Sequence, residues 1–302
     1  MKTTITSCFL LLTFVAIGQI RFQSKTVQPA LHLKKDETHV VSILHSKTKS
    51  EKGKQPESSS LRYTAAITVI DSTEDEFTFR WAYQIPKAGS AGAETMAYMK
   101  LIAALELVYK TDGTGGFKEL VNWEKVRDFY LKIVEESIPR KGGDSTNVAL
   151  EKVKAMFSTK AAVQGAFVKE IQLLHSVYGQ RFSTQLEKSA TFMSVPIADE
   201  PVPAMVTAQV TALTPTQYTI QTSQSIDKTG AAKMFEQMFR KMGVNDEKAL
   251  EGANAALAGF QMSDKGSYTI HTKTGLPIKA VYTRTGGTAD ILQLETYELS
   301  VK

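Results

Sequence analysis

Cysteine is almost missing from this sequence. The only one in 302 residues is Cys8, inside a leader-like segment at residues 1–18. Without another, the remaining chain has no disulfide, no thiol nucleophile and no thiolate for a metal. A second long apolar run is also missing. Nothing beyond the leader approaches the roughly 20 apolar residues that span a bilayer as a helix, so no transmembrane segment is expected in the mature chain.

Histidines are few and scattered. His32, His39, His45, His175 and His271 form no His-x-His or His-x-x-x-His pair. No carboxylate stands beside them at a zinc-type spacing, so neither a metal site nor a cofactor is expected. Catalytic signatures are absent too. There is no Gly-x-Ser-x-Gly elbow for a hydrolase serine. Ser46–Lys49 and Ser225–Lys228 read Ser-x-x-Lys, and Lys228–Gly230 and Lys273–Gly275 read Lys-Thr-Gly. Their order and overlap do not suit penicillin-binding enzymes, and no Ser-Asp-Asn lies between them. Asp112-Gly113-Thr114-Gly115-Gly116 lacks the lysine and hydroxyl that follow the glycines of a phosphate loop. It reads as a turn between helical regions or a small hairpin. Asp71, Glu74, Asp75 and Glu76 read as a solvated turn. The chain is expected not to be an enzyme.

Charge excludes another class. Lys and Arg number 36 against 31 Asp and Glu, a net +5. The excess gathers in Lys34, Lys35, Lys47, Lys49, Lys52 and Lys54. Ser, Gln, Pro and Glu dilute this cluster, and no aromatic side chains interleave for base stacking. It is expected to be a solvated loop over Ser46–Ser60, and nucleic acid is not an expected partner.

What is present begins with export. Met1 and Lys2 lead into an apolar run from Phe9 to Ile17, and Ala16 and Gly18 supply small residues at the −3 and −1 positions of a cleavage site. This is the pattern of a secretory signal peptide cut after Gly18. Cys8 precedes the apolar run, so it is not a lipoprotein signal. The mature chain, 19–302, is expected to be soluble in the periplasm or outside the cell. It is long enough to be stabilised by its own core.

Period-two alternation fills three blocks. In 31–85, Leu31 and Leu33, then Val41, Ile43 and His45, then Tyr63 to Val69, then Phe77 to Ile85 alternate. Blocks 185–223 and 266–301 repeat the pattern around Pro201, Pro203, Gly275, Gly286 and Gly287. Helical periodicity occupies the insertions 94–178 and 231–260. Expected helices include Glu94–Tyr109, one capped by Asn122 with a stripe of Val126, Phe129, Tyr130, Ile133 and Val134, and one from Asp144 or Ser145 through Phe157. Another carries Val163, Phe167, Ile171, Leu174 and Tyr178 to Gly179, followed by Ala231–Met242 and Asp246–Phe260. The expected fold is a single α+β domain. Its large curved antiparallel sheet has about nine strands in three blocks, with helical insertions packed on one face.

One helix face is a candidate binding surface. Met234, Phe235, Met238, Phe239 and Met242 recur on one side, and methionine adapts to irregular apolar partners such as acyl chains. Phe79 and Trp81, from the strand Phe77–Tyr83, would form the opposite wall. An ordinary core-packing role explains the same stripe.

The segment Tyr109–Val126, with Leu33–His39 and Thr274–Ile278, resembles uncharacterised exported proteins of Gram-negative bacteria, a domain of unknown function. That resemblance implies no activity and no site residues. The layout, a curved sheet with helices in its concavity, is similar to periplasmic lipoprotein-carrier half-barrels, which bind acyl chains between sheet and helices. Two readings follow. The favoured one is an exported binder of an apolar ligand or lipid-bearing partner between sheet and helices. The alternative is a cell-envelope protein-interaction module with a filled core. A hydrolase ranks last.

Overall fold

The computed structural model describes residues 20–85, 102–137, 144–193, 201–241 and 259–302. The expected signal peptide 1–18, the first half of the expected helix Glu94–Tyr109, the expected strand end at Pro196, Met242 and nearly all of the expected helix Asp246–Phe260 lie outside them. The first half carries strands β1 Ile20–Arg21, β2 Thr26–Val27, β3 Thr38–Glu51, β4 Glu57–Ser72, β5 Glu76–Gln84, β6 Glu106–Asp112 and β7 Phe117–Leu120. Helices α1 Trp123–Ser137, α2 Asp144–Met156, α3 Lys160–Phe167 and α4 Lys169–Leu174 come next. Strands β8 Phe182–Ser183, β9 Glu187–Met193, β10 Val202–Leu213 and β11 Gln217–Ile226 lead to helix α5 Lys228–Lys241. The chain closes with β12 Gln261–His271, β13 Pro277–Gly287 and β14 Ile291–Val301.

Alternation builds the sheet. Val41 and Ile43 of β3, Tyr63, Ala65, Ile67 and Val69 of β4, and Phe77, Phe79 and Trp81 of β5 are buried on one face. Leu107 and Tyr109 continue that face on β6. The sheet has eleven strands in the order β7-β6-β5-β4-β3-β14-β13-β12-β11-β10-β9, all pairs antiparallel. Two meanders thus grow from the centre. The first and last long strands join them, with Val41 opposite Val301 and Glu51 opposite Ile291. Strands β1, β2 and β8 form a separate three-stranded sheet. Register shifts at Val69/Asp71, Lys110/Thr111, Val210/Ala212 and Thr269/Ile270 add the local twist that bulges produce.

Eleven strands replace the expected nine because β6 and β7 lie in the segment read as a helical insertion. Leu105, Val108 and Tyr109 satisfy helical spacing, but burial falls on Leu107, Tyr109 and Thr111, at period two. Pairing with β5 decides the conformation, Phe79 standing opposite Tyr109. The acidic-glycine run is the β6–β7 hairpin. Asp112 Oδ1 accepts the Thr114, Gly115 and Gly116 amides, each at 2.9 Å. Leu31 and Leu33 are buried, but in an irregular segment rather than a strand.

The polar stretch Ser46–Ser60 is not a loop. β3 and β4 run through it to a turn around Gly53, with Thr48 and Ser58 hydroxyls 3.1 Å apart across the pair. Its lysines are paired: Lys49 and Lys54 with Glu51, and Lys52 with Asp290 at 3.2 Å. Asn122 does not cap α1 through its side chain. It ties the helix start to β6 instead, accepting from the Val108 amide at 2.9 Å and donating to the Glu106 carbonyl at 2.8 Å. The expected helix ending at Gly179 is split at Val168 into α3 and α4.

α1 packs against β6 and α3, α3 against β7, and α4 against β13 and β14. α5 packs against β10 and β11. The main core lies between the sheet and α1, α3 and α4, with a smaller one under α5.

Candidate functional site: an apolar cavity under the helices

The side chains of α1 that recur at helical spacing do not all reach the sheet. Phe129, Tyr130, Ile133 and Val134 form one wall of a cavity of about 630 Å³. Ala166 and Phe167 of α3 continue that wall, and Leu61 and Tyr63 of β4, Tyr83 of β5 and Leu107 of β6 form the opposite one. Ile102 and Leu105 contribute from the segment before β6. The helical side is braced by three rings, Tyr130 lying 4.9 Å from Phe157 and 5.3 Å from Phe167, centroid to centroid. The volume lies within the roughly 300–1,000 Å³ of small-molecule sites.

One end of the cavity is polar. His45, Tyr63, Tyr297, Lys169 and Glu170 line it. The His45 ring stacks on Tyr297, with centroids 4.2 Å apart and planes 7° from parallel. His45 Nε2 donates to Glu295 Oε1 at 2.8 Å, and Lys47 lies 3.3 Å from the same oxygen. Together they hold the Glu295 carboxyl down to about 2. Tyr63 donates its hydroxyl to Glu170, and burial followed by that carboxylate's charge pushes its own ionisation up.

The strand register explains these pairs. Asp264 faces Arg284, Arg284 faces Glu295, and Glu295 faces Lys47 across β12, β13, β14 and β3. Arg284 grips Asp264 with two bonds of 2.7 Å. The result is a row of alternating charge next to the cavity. Across the row lies an open pocket of about 790 Å³ lined by Lys47, Arg284, Glu295, Met262 and Gln293.

Lys169 sits where α4 crosses this row. Its Nζ is 4.7 Å from the Tyr282 ring centroid, a cation–π contact. Among the described residues no carboxylate oxygen lies within salt-bridge distance of it. Burial, and then the Arg284 charge, lower its pKa, while Asp264, Glu295 and Glu170 oppose the shift.

The residues singled out in the sequence lie elsewhere. Phe79 and Trp81 are wholly enclosed in the main core. Met234 and Phe235 are buried in the smaller core with Met193, Val202 and Ala204, and Met238 and Phe239 pack against it. The structure therefore does not bring the strand pair and the helix face together as two walls of one cavity, and none of these six side chains lines the cavity described above. The α1 stripe was legible as a helix face. Tyr63 and Tyr297 fall in segments legible as strands, but neither they nor Lys169 carried a sequence signal of a site, because their partners are far away in the chain.

Among the described residues, no three His, Cys, Asp or Glu side chains come together as metal ligands. His175 is enclosed: Nδ1 donates to the Gly115 carbonyl at 2.7 Å and Nε2 accepts from Tyr109 at 2.9 Å. Burial lowers its pKa to about 4, so the ring is neutral and both nitrogens are occupied.

No protein-family model matches the chain, and comparison with curated proteins finds no match. Among solved structures, the chain is similar to lipovitellin, in a structure concerned with lipid–protein interactions, at 7% identity and a TM-score of 0.40. That similarity covers 90% of this chain but only 25% of that one. Rv2717c from M. tuberculosis follows at 6% identity and a TM-score of 0.23, covering 86% of this chain and 91% of that one. Ail, the attachment invasion locus protein of Yersinia pestis, stands at 4% and 0.17, covering 89% and 97%. Likenesses this distant carry no functional argument. Among the described residues, no helix is long and apolar enough to cross a membrane.

Proposed function

We propose that this chain is an exported, non-enzymatic protein that binds an apolar ligand, or the apolar part of a lipid-bearing partner, between its sheet and helices. The observation that supports this is the cavity of about 630 Å³ under α1, α3 and α4, walled mainly by Leu, Ile, Val and aromatic side chains. Apolar lining with a few convergent polar groups is the usual make-up of a small-molecule site. The interaction-module reading calls for a filled interior at this place, so the cavity favours the binder.

The test is direct. Mature protein from its own envelope is extracted with organic solvent, and the extract is examined by mass spectrometry. The emptied protein is titrated with N-phenyl-1-naphthylamine, an uncharged apolar fluorophore. The expected result is stoichiometric extracted lipid, or saturable fluorophore binding that Leu61→Trp weakens by narrowing the cavity. An empty extract together with no saturable binding overturns the proposal.

A further inference from the structure

Lys169 is the one group at the polar end of the cavity whose hydrogen-bonding capacity is unmet by an acceptor among the described residues. The carboxylates around it already have partners. Asp264 is held by Arg284, Glu295 by His45 and Lys47, and Glu170 by Tyr63. The Lys169 ammonium has three N–H donors, and it meets Tyr282 at a ring face that accepts none of them conventionally. A half-buried cation in this state gains most from an anion that arrives with the ligand, because a charge-assisted bond out of bulk water exceeds a neutral one.

We infer that the cavity takes a long-chain carboxylate, its chain along the α1 wall and its head group on Lys169. The inference rests on the binding function proposed above. Glu170 lines the same end and chooses between anions. A single negative charge neutralises Lys169, whereas a phosphate monoester brings a second that stands against Glu170. His45 stacked on Tyr297 closes the remaining side without adding a free cation, since His45 is committed to Glu295.

Displacement of bound N-phenyl-1-naphthylamine by palmitate, hexadecanol and hexadecyl phosphate at neutral pH tests this. Palmitate is expected to compete at least about tenfold better than hexadecanol, the size of one charge-assisted contact, and better than hexadecyl phosphate. In Lys169→Met the palmitate-to-hexadecanol ratio falls to about one, and in Lys169→Arg it persists. Equal competition by palmitate and hexadecanol in the unmodified protein overturns the inference and leaves the cavity function standing, because displacement still occurs. A preference that survives in Lys169→Met, or tighter binding of hexadecyl phosphate, also overturns it. No saturable fluorophore binding together with an empty solvent extract removes both proposals, and an extract whose lipid carries no free carboxylate overturns this inference alone. The wild-type series needs no variant, so a Lys169→Met protein that fails to fold does not block the test.

Discussion

His175 donates to the Gly115 carbonyl and accepts from Tyr109, so one ring fastens the segment after α4 to the β6–β7 hairpin. Its pKa of about 4 lies below the ordinary 6.5, so the unfolded chain takes up this proton first as pH falls. Stability from this site is complete above about pH 6.5 and declines down to about pH 4. Urea unfolding is expected to lose about 2 kcal/mol between pH 6.5 and 5 from this group. That component should be absent in His175→Gln. Gly275 makes a different demand. Its φ is +74°, and a Cβ there would meet the Ala30 carbonyl oxygen at 1.9 Å. Gly275→Ala is therefore expected to cost more than about 2 kcal/mol, read by the same unfolding. The glycine was visible in the sequence as a turn residue. The approach of Ala30 was not, since it comes from a segment far away in the chain.

At the scale of elements, α5 shows how a stripe acquires its meaning. Helical periodicity correctly marked Met234, Phe235, Met238 and Phe239 as one face, and that face packs on β10 and β11. Met234→Ala is expected to destabilise the protein by about 3 kcal/mol, as a buried large-to-small change does. Its N-phenyl-1-naphthylamine affinity should be unchanged, because the side chain lies in a different core from the cavity. A lost affinity would return the ligand to the Met/Phe face. β6 teaches the opposite lesson. Its residues satisfy helical and strand spacing alike, and only an adjacent β5 with an unpaired edge selects the strand. The polar ends of β3 and β4 lack apolar alternation, so their sequence alone points to a loop. Their backbone ladder and ion pairs hold them as strands.

For the whole molecule, the decisive contact is β3 against β14, which joins two meanders at the middle of the sheet. A chain ending before Ile291 loses the strand shared by β3 and β13 and exposes two unpaired edges there. Such a truncation is expected to abolish the cooperative thermal transition followed by circular dichroism, and the product should aggregate through those edges. The pairing also spans most of the sequence, so folding in the slower millisecond-to-second range is expected.

By itself, the sequence determined the antiparallel sheet, most of its strands, the helical character of α1, α2 and α5, and the absence of recognisable catalytic motifs. These rest on local periodicity and residue type, which adjacent residues fix. Only the tertiary structure decided where the cavity lies, which aromatic side chains fill the core, and that Lys169 has no carboxylate partner among the described residues while Asp264, Glu295 and Glu170 have partners. Those outcomes depend on strand register and helix placement, and the register brings His45 to Glu295 across 250 positions. Burial and charge pairing at that separation leave no periodic trace in the chain.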